Sequence, residues 1–135
     1  MIIRDSKGKF IAVKAKSISL VSNPYSGELI ATREGLLFTW ELGLKDIQLE
    51  GDSNQVYSCI QEMIEDYSYN NKILKDIFIY VSWFNSFSYC LVPRVCNNVA
   101  DTIAHFTKSQ RSSVLWKDDP PKFIVSLLVD ELHFL

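Results

Sequence analysis

No stretch of this chain is long and apolar enough to cross a membrane. Its longest apolar runs, such as Ile77-Phe78-Ile79-Tyr80-Val81, stop well short of the roughly 18 residues a span requires, so no membrane partner is expected. The opening Met1-Ile2-Ile3-Arg4-Asp5 lacks the charged-then-apolar order of a secretion signal, and the expected setting is intracellular, nuclear or cytoplasmic. Cysteine is scarce. Cys59, Cys90 and Cys96 are odd in number and form no CxxC pair, which speaks against a disulfide framework or a zinc site and for a reducing compartment. The two histidines, His105 and His133, stand alone and read as surface helix residues. The chain carries no Gly-rich phosphate loop, GxSxG elbow or HExxH helix, and no internal repeat or low-complexity linker. Positive charge is not in excess either. Fourteen Lys and Arg against 16 Asp and Glu give a net charge of -2, which excludes a simple polycationic binder. Any contact with nucleic acid then needs local lysines or bridging metal ions.

What the chain has is apolar bulk. Eight Phe, six Tyr and three Trp within 47% hydrophobic residues give a 135-residue chain the means to bury one real core. Ile2 and Ile3 lead into the polar turn Arg4-Asp5-Ser6-Lys7-Gly8, and Phe10, Ile11, Val13 and Ala15 follow with the loose alternation of a strand. After the breakers Ser22 to Gly27, the residues Leu29, Ile30, Arg33, Leu36, Leu37 and Trp40 trace a helical stripe ending near Gly43. Ser26 reads as its N-cap, with Glu28 in the first turn. Asp46 to Glu50 reads as a strand, and Asp52-Ser53 as the cap of a second helix with Val56, Cys59, Ile60, Met63 and Ile64 inward. Asn70-Asn71 breaks that helix. Ile73, Ile77, Tyr80 and Val81 suggest a third, and Phe87 to Val92 a final strand stopped by Pro93. A helix carrying Val99, Ile103, Ala104 and Phe106 follows; after a polar stretch, Asp118-Asp119-Pro120-Pro121 starts an amphipathic tail helix. The alternation implies an α/β or mixed α+β domain with a mixed sheet.

Three acids sit where chemistry favours them: Glu28 at a helix start, Asp52 after a strand end, and Asp101 in the first turn of the helix beyond Pro93. Strand ends and helix starts converge at one edge of an open α/β sheet. Hard oxygen donors without His or Cys suit Mg²⁺ or Mn²⁺. On spacing alone the same acids also read as ordinary helix-capping residues.

The runs Gly27-Glu28-Leu29-Ile30-Ala31 and Leu42-Gly43-Leu44 to Glu50-Gly51-Asp52-Ser53, then Val92-Pro93-Arg94-Val95-Cys96-Asn97-Asn98-Val99-Ala100-Asp101, together resemble the plant-type, reverse-transcriptase-like ribonuclease H domain. The hairpin Ile3-Arg4-Asp5 to Phe10 is similar to that family's opening turn, and the segment from Trp116 through Pro120-Pro121 to Leu127-Leu128 looks like what commonly follows it. The resemblance implies a ribonuclease H-like mixed sheet with flanking helices over residues 1–110, followed by a tail over 111–135 with an amphipathic helix. It implies a hydrolase that cuts the RNA strand of RNA–DNA hybrids with two Mg²⁺ or Mn²⁺ ions. Glu28, Asp52 and Asp101 are then catalytic and metal-holding, and Arg94, Asn97, Lys7 and Lys9 contact the nucleic acid. The family's fourth carboxylate belongs to a central first strand that would precede Met1, so the expectation is a domain lacking that strand, with impaired turnover. Two other readings follow: a non-catalytic nucleic-acid-binding module using Lys7, Lys9, Lys14, Lys16 and Arg94, or a relic of a retroelement-type domain that self-associates through an unpaired sheet edge.

Overall fold

The computed structural model describes residues 2–7, 9–15, 24–63, 70–93, 102–103, 105–106, 114–120 and 122. The chain divides into two compact units, one of residues 1–17 with 93–135 and one of residues 18–92.

In the first unit, β1 (Ile2–Arg4) and β2 (Phe10–Ala15) form the expected antiparallel hairpin, with Ile3 opposite Ala12 and Arg4 opposite Phe10, so that Ile11 is the extra residue of a bulge. Asp5 makes the turn. Its Oδ1 accepts from the backbone N–H groups of Lys7 at 2.8 Å and Lys9 at 2.9 Å, and its own N–H donates to the Lys9 carbonyl. Such a side-chain-capped turn is why Asp suits the position. Ile3, Phe10 and Ala12 are buried. The polar stretch after the fourth helical segment contains a strand that the alternation did not suggest: β5 (Val114–Lys117) pairs antiparallel with β2, giving the order β1-β2-β5. Four residues are too few to display a period, and only the partner strand makes them one. Residues 102–103 and 105–106 are helical, Ile103 is fully buried, and the Phe106 ring lies 6.0 Å from that of Trp116. His105 is exposed, as expected. The tail helix expected after Pro121 lies outside the described residues, as do Cys96 and His133.

In the second unit, α1 (Pro24–Glu41) leads to β3 (Asp46–Gly51), and α2 (Asn54–Glu62) and α3 (Asn71–Trp83) make the crossover to β4 (Ser86–Leu91). The two strands are parallel and in register from Asp46 opposite Ser86 to Gly51 opposite Leu91. A crossover of this length is what parallel pairing demands. Leu29, Leu36, Val56, Ile60, Ile73, Leu74, Ile77, Phe84 and Tyr89 form the core between helices and strands. Among the described strands, β4 is the only partner of β3, and β2 the only partner of β1.

Local signals explain the helix ends and correct two expectations. Helix α1 begins at Pro24, which occupies a first-turn position where its missing N–H costs nothing. Ser26 therefore lies inside the helix rather than capping it, and Glu28 stands in the second turn. The helix is also buried on more than one side, since Leu29 and Leu36 face the core while Gly35 and Phe38, also buried, point elsewhere around the axis. It ends at Gly43, whose φ of 83° a side chain would resist. Ser53 caps α2 by accepting from the Val56 N–H. Met63, expected inward, instead closes α2 in the left-handed region and is 62% exposed. No helix among the described residues is long and apolar enough to cross a membrane.

Candidate functional site

The second unit contains two of the three sequence-derived acids, Asp52 at the end of β3 and Glu28 on α1. Strand β3 ends at Gly51 and the chain turns at once into Asp52, which is half-buried. The Gly51 carbonyl accepts from the Val92 N–H at 2.8 Å, which fixes the last rung of the parallel pair beside Asp52. Glu28 arrives from the exposed side of the second turn of α1. That turn is anchored by its neighbours. The Ser26 hydroxyl donates to Asn70 Oδ1 at 2.8 Å, both residues being buried, and the Tyr25 hydroxyl lies 2.9 Å from Cys59 Sγ. Leu29 packs fully buried in the core.

Both carboxylates act on a single phenol. Tyr89 sits on β4 opposite Leu49, so its ring shares a face with Leu49 and Gly51. The ring is 8% exposed and 5.6 Å from that of Tyr57 on α2. Its hydroxyl rests against Gly51, in the space a Cβ there would fill. The Tyr89 pKa is pushed up to about 12, chiefly by burial, then by the negative charge of Glu28 and then by that of Asp52. Both acids therefore lie within electrostatic reach of the Tyr89 hydroxyl, near the end of the parallel strand pair.

That donor set fits a hard divalent cation, since both carboxylates offer oxygen and neither His nor Cys competes. Among the described residues, no group of three or more His, Cys, Asp or Glu side chains comes together as a metal cluster. Asp101, Arg94 and Asn97 lie outside the described residues, so Glu28 and Asp52 are the candidate acids the structure describes. Lys7 and Lys9 are exposed on the hairpin turn of the first unit. Sequence reading missed Tyr89 and Gly51. A glycine at the end of a strand, just before a candidate acid, is the signal that pointed to them, because glycine there marks a close approach.

The chain combines antiparallel strands in one unit with a parallel pair crossed over by two helices in the other, a mixed α/β arrangement. The structure is similar to RNase H1 from the halophilic archaeon Halobacterium salinarum NRC-1, with a TM-score of 0.61 and 22% sequence identity, over 66% of this chain and 68% of that one. The family model described as reverse transcriptase-like matches residues 1–107, and the chain belongs to that family. Its fold is therefore ribonuclease H-like. No curated protein sequence matches.

Proposed function

We propose that the chain acts on RNA–DNA hybrids as a ribonuclease H-type endonuclease, with Glu28, Asp52 and Asp101 as its catalytic acids. The observation that supports this reading is the family match over residues 1–107 together with the placing of Asp52 directly after β3 and of Glu28 on α1, whose charges both raise the Tyr89 pKa. Glu28 and Asp52 would hold Mg²⁺ or Mn²⁺ there, with Asp101 as the third ligand-bearing acid. Such ions, when bound, acidify an attacking water and neutralise charge on the phosphate.

The chain's own residues supply the positioning. The rung between Gly51 and Val92 holds the Asp52 backbone, and the buried bond between Ser26 and Asn70 holds the turn that carries Glu28. Two carboxylates facing one point repel a phosphate until a cation intervenes, so productive binding of hybrid depends on divalent ion. Contacts to phosphate and 2′-hydroxyl, rather than to base edges, select an RNA-containing duplex. Arg94 and Asn97 complete this proposal as contacts to the substrate. An intracellular, reducing setting suits the two described cysteines, Cys59 and Cys90, both of which are free thiols.

The test is cleavage of a labelled RNA–DNA hybrid by the purified chain with and without Mg²⁺. Cleavage that needs Mg²⁺ and is lost in Asp52→Asn and Glu28→Gln, with the fold intact by circular dichroism, is the expected result. Equal cleavage by wild type and both variants overturns it.

The exposed Lys7 and Lys9 favour a second reading, binding of hybrid without turnover. It expects hybrid affinity to fall with salt and to weaken when both lysines become alanine, while no cleavage is detected. Affinity that ignores salt ends it. Self-association through an unpaired strand edge expects a dimer in sedimentation, and a monomer at all concentrations ends that proposal.

A further inference from the structure

We infer that β4 is an interface strand: the outer edge of Ser86–Leu91 pairs antiparallel with β4 of a second copy of this chain, around a two-fold axis. The inference rests on the self-association reading above and deepens it by naming the edge, the register and the apolar contact.

The backbone leaves this edge open. The Ser86 N–H donates to the Lys45 carbonyl at 3.4 Å and the Val92 N–H to the Gly51 carbonyl at 2.8 Å, both toward β3. Backbone groups alternate in direction along a strand, so the N–H and C=O of Phe87, Tyr89 and Leu91 point away from β3. Among the described strands, none pairs with that side of β4.

Charge then selects β4 over the other free edges. Strand β1 is three residues long with a register shift at Arg4, and β5 is four residues long and ends in Lys117. On β3 the outward groups belong to Asp46, Gln48 and Glu50, and pairing with a copy about Gln48 would set Asp46 opposite Glu50. Like charges directly opposite each other destabilise a strand pair. Strand β4 reads Ser-Phe-Ser-Tyr-Cys-Leu, in unbroken register with β3 and with no charge, proline or bulge. Those are the devices that keep a free edge from pairing, and β4 carries none of them. An uncharged strand also meets its own copy without repulsion.

Symmetry supplies the apolar match. A two-fold contact needs one patch to serve as both socket and plug. Setting Tyr89 opposite Tyr89 of the copy engages every outward residue of β4 and places Leu91 opposite Phe87. Leu91 is 38% exposed and shares the helix side of the strand with Phe87 and Tyr89. Phe87 lines an open groove with Ile60 of α2, the exposed Met63, and Phe78 and Val81 of α3. Leu91 of the copy therefore meets this groove, and the reverse holds at the other end of the strand.

Sedimentation velocity of the full chain over a concentration series tests this, with wild type, Leu91→Lys and Gln48→Lys, each confirmed as folded by circular dichroism. Gln48→Lys would oppose like charges only if β3 were the interface. Ser88→Cys treated with a mild oxidant tests the register, because position 88 then lies opposite Cys90 of the copy, within disulfide reach. The expected result is a wild-type dimer that Gln48→Lys leaves unchanged and that Ser88→Cys cross-links through Cys90. Leu91→Lys should raise the dimer Kd about a hundredfold, since each dimer loses two buried leucines. A wild-type chain that stays monomeric at every concentration overturns this inference together with the self-association reading, and leaves the edge to an extended segment of another protein. A dimer that Leu91→Lys leaves intact, or that Gln48→Lys breaks, keeps self-association and overturns the assignment to β4. A dimer whose cross-link does not run through Cys90 overturns it as well.

Discussion

Ser26 and Asn70 share a buried hydrogen bond, Oγ donating to Oδ1 at 2.8 Å. It ties the first turn of α1 to the residue before α3. Asn70 holds the N-cap position of α3 yet makes no capping bond with its side chain, because that side chain is committed to Ser26. Ser26→Ala removes a donor from a buried acceptor, and the expected cost is about 1–3 kcal/mol. Urea unfolding checks it through a lower midpoint at unchanged slope. Because Ser26 steadies the first turn of α1, just ahead of Glu28, the same variant should also weaken Mg²⁺ affinity in calorimetry.

Gly51→Ala should destabilise the protein by about 1–3 kcal/mol, the range of overpacking in a filled core. The new methyl group meets the Tyr89 hydroxyl. In a Tyr89→Phe background that oxygen is gone and the nearest remaining atom, Cζ, stands 3.1 Å away, so the penalty should shrink to a fraction. A double-mutant cycle from thermal unfolding measures the coupling. Additive effects would mean that the hydroxyl does not occupy that space.

Tyr89 also makes stability depend on alkaline pH. The folded chain holds the phenol proton to about pH 12 against an ordinary value of 10.0. Its contribution is therefore complete below pH 10 and is lost as pH rises through 12, since the unfolded phenol ionises first. The size is on the order of 2–3 kcal/mol. Once the difference below pH 10 is subtracted, the unfolding free energy of wild type should fall below that of Tyr89→Phe as pH rises from 10 to 12, and parallel curves would count against it.

Asp5→Ala removes the acceptor of two backbone N–H groups in the β1–β2 turn. Both donors are solvent-exposed and can turn to water, so the expected loss is only about 1 kcal/mol. Amide hydrogen exchange at Lys7 and Lys9 should quicken, with little change in the global unfolding midpoint. This turn role also separates Asp5 from the site acids.

Much of the second unit was legible because its signals are local. Ser53 beside Val56 and Ile60, and Ile73 with Ile77, declare helices by spacing, and Ile47 and Leu49 declare a strand by alternation. The misreadings share a cause. Ser26 is a good N-cap residue, but its hydroxyl found a partner in Asn70, far along the chain, and the helix began at Pro24 instead. Met63 continued an apolar stripe, but the chain had to leave the helix there and took a left-handed turn into solvent. Strand β5 exists through its pairing with β2, which no window of four residues can reveal. For the site, family motifs carried Glu28 and Asp52 where spacing alone could not. The contact of Tyr89 with Gly51 stayed hidden because it depends on a ring reaching from one strand to the next.

The parallel pair has a consequence for the order in which the chain folds. Every rung joins residues far apart in sequence, and the Ser86 hydroxyl reaches Asp46 Oδ1 at 2.8 Å across a separation of 40 residues. Closing so long a loop is entropically expensive until something shortens it. Helices α2 and α3 do so by forming within it, since contacts inside each helix are local and form before distant ones. The amides of β4 should therefore gain exchange protection after those of α3 in a refolding pulse.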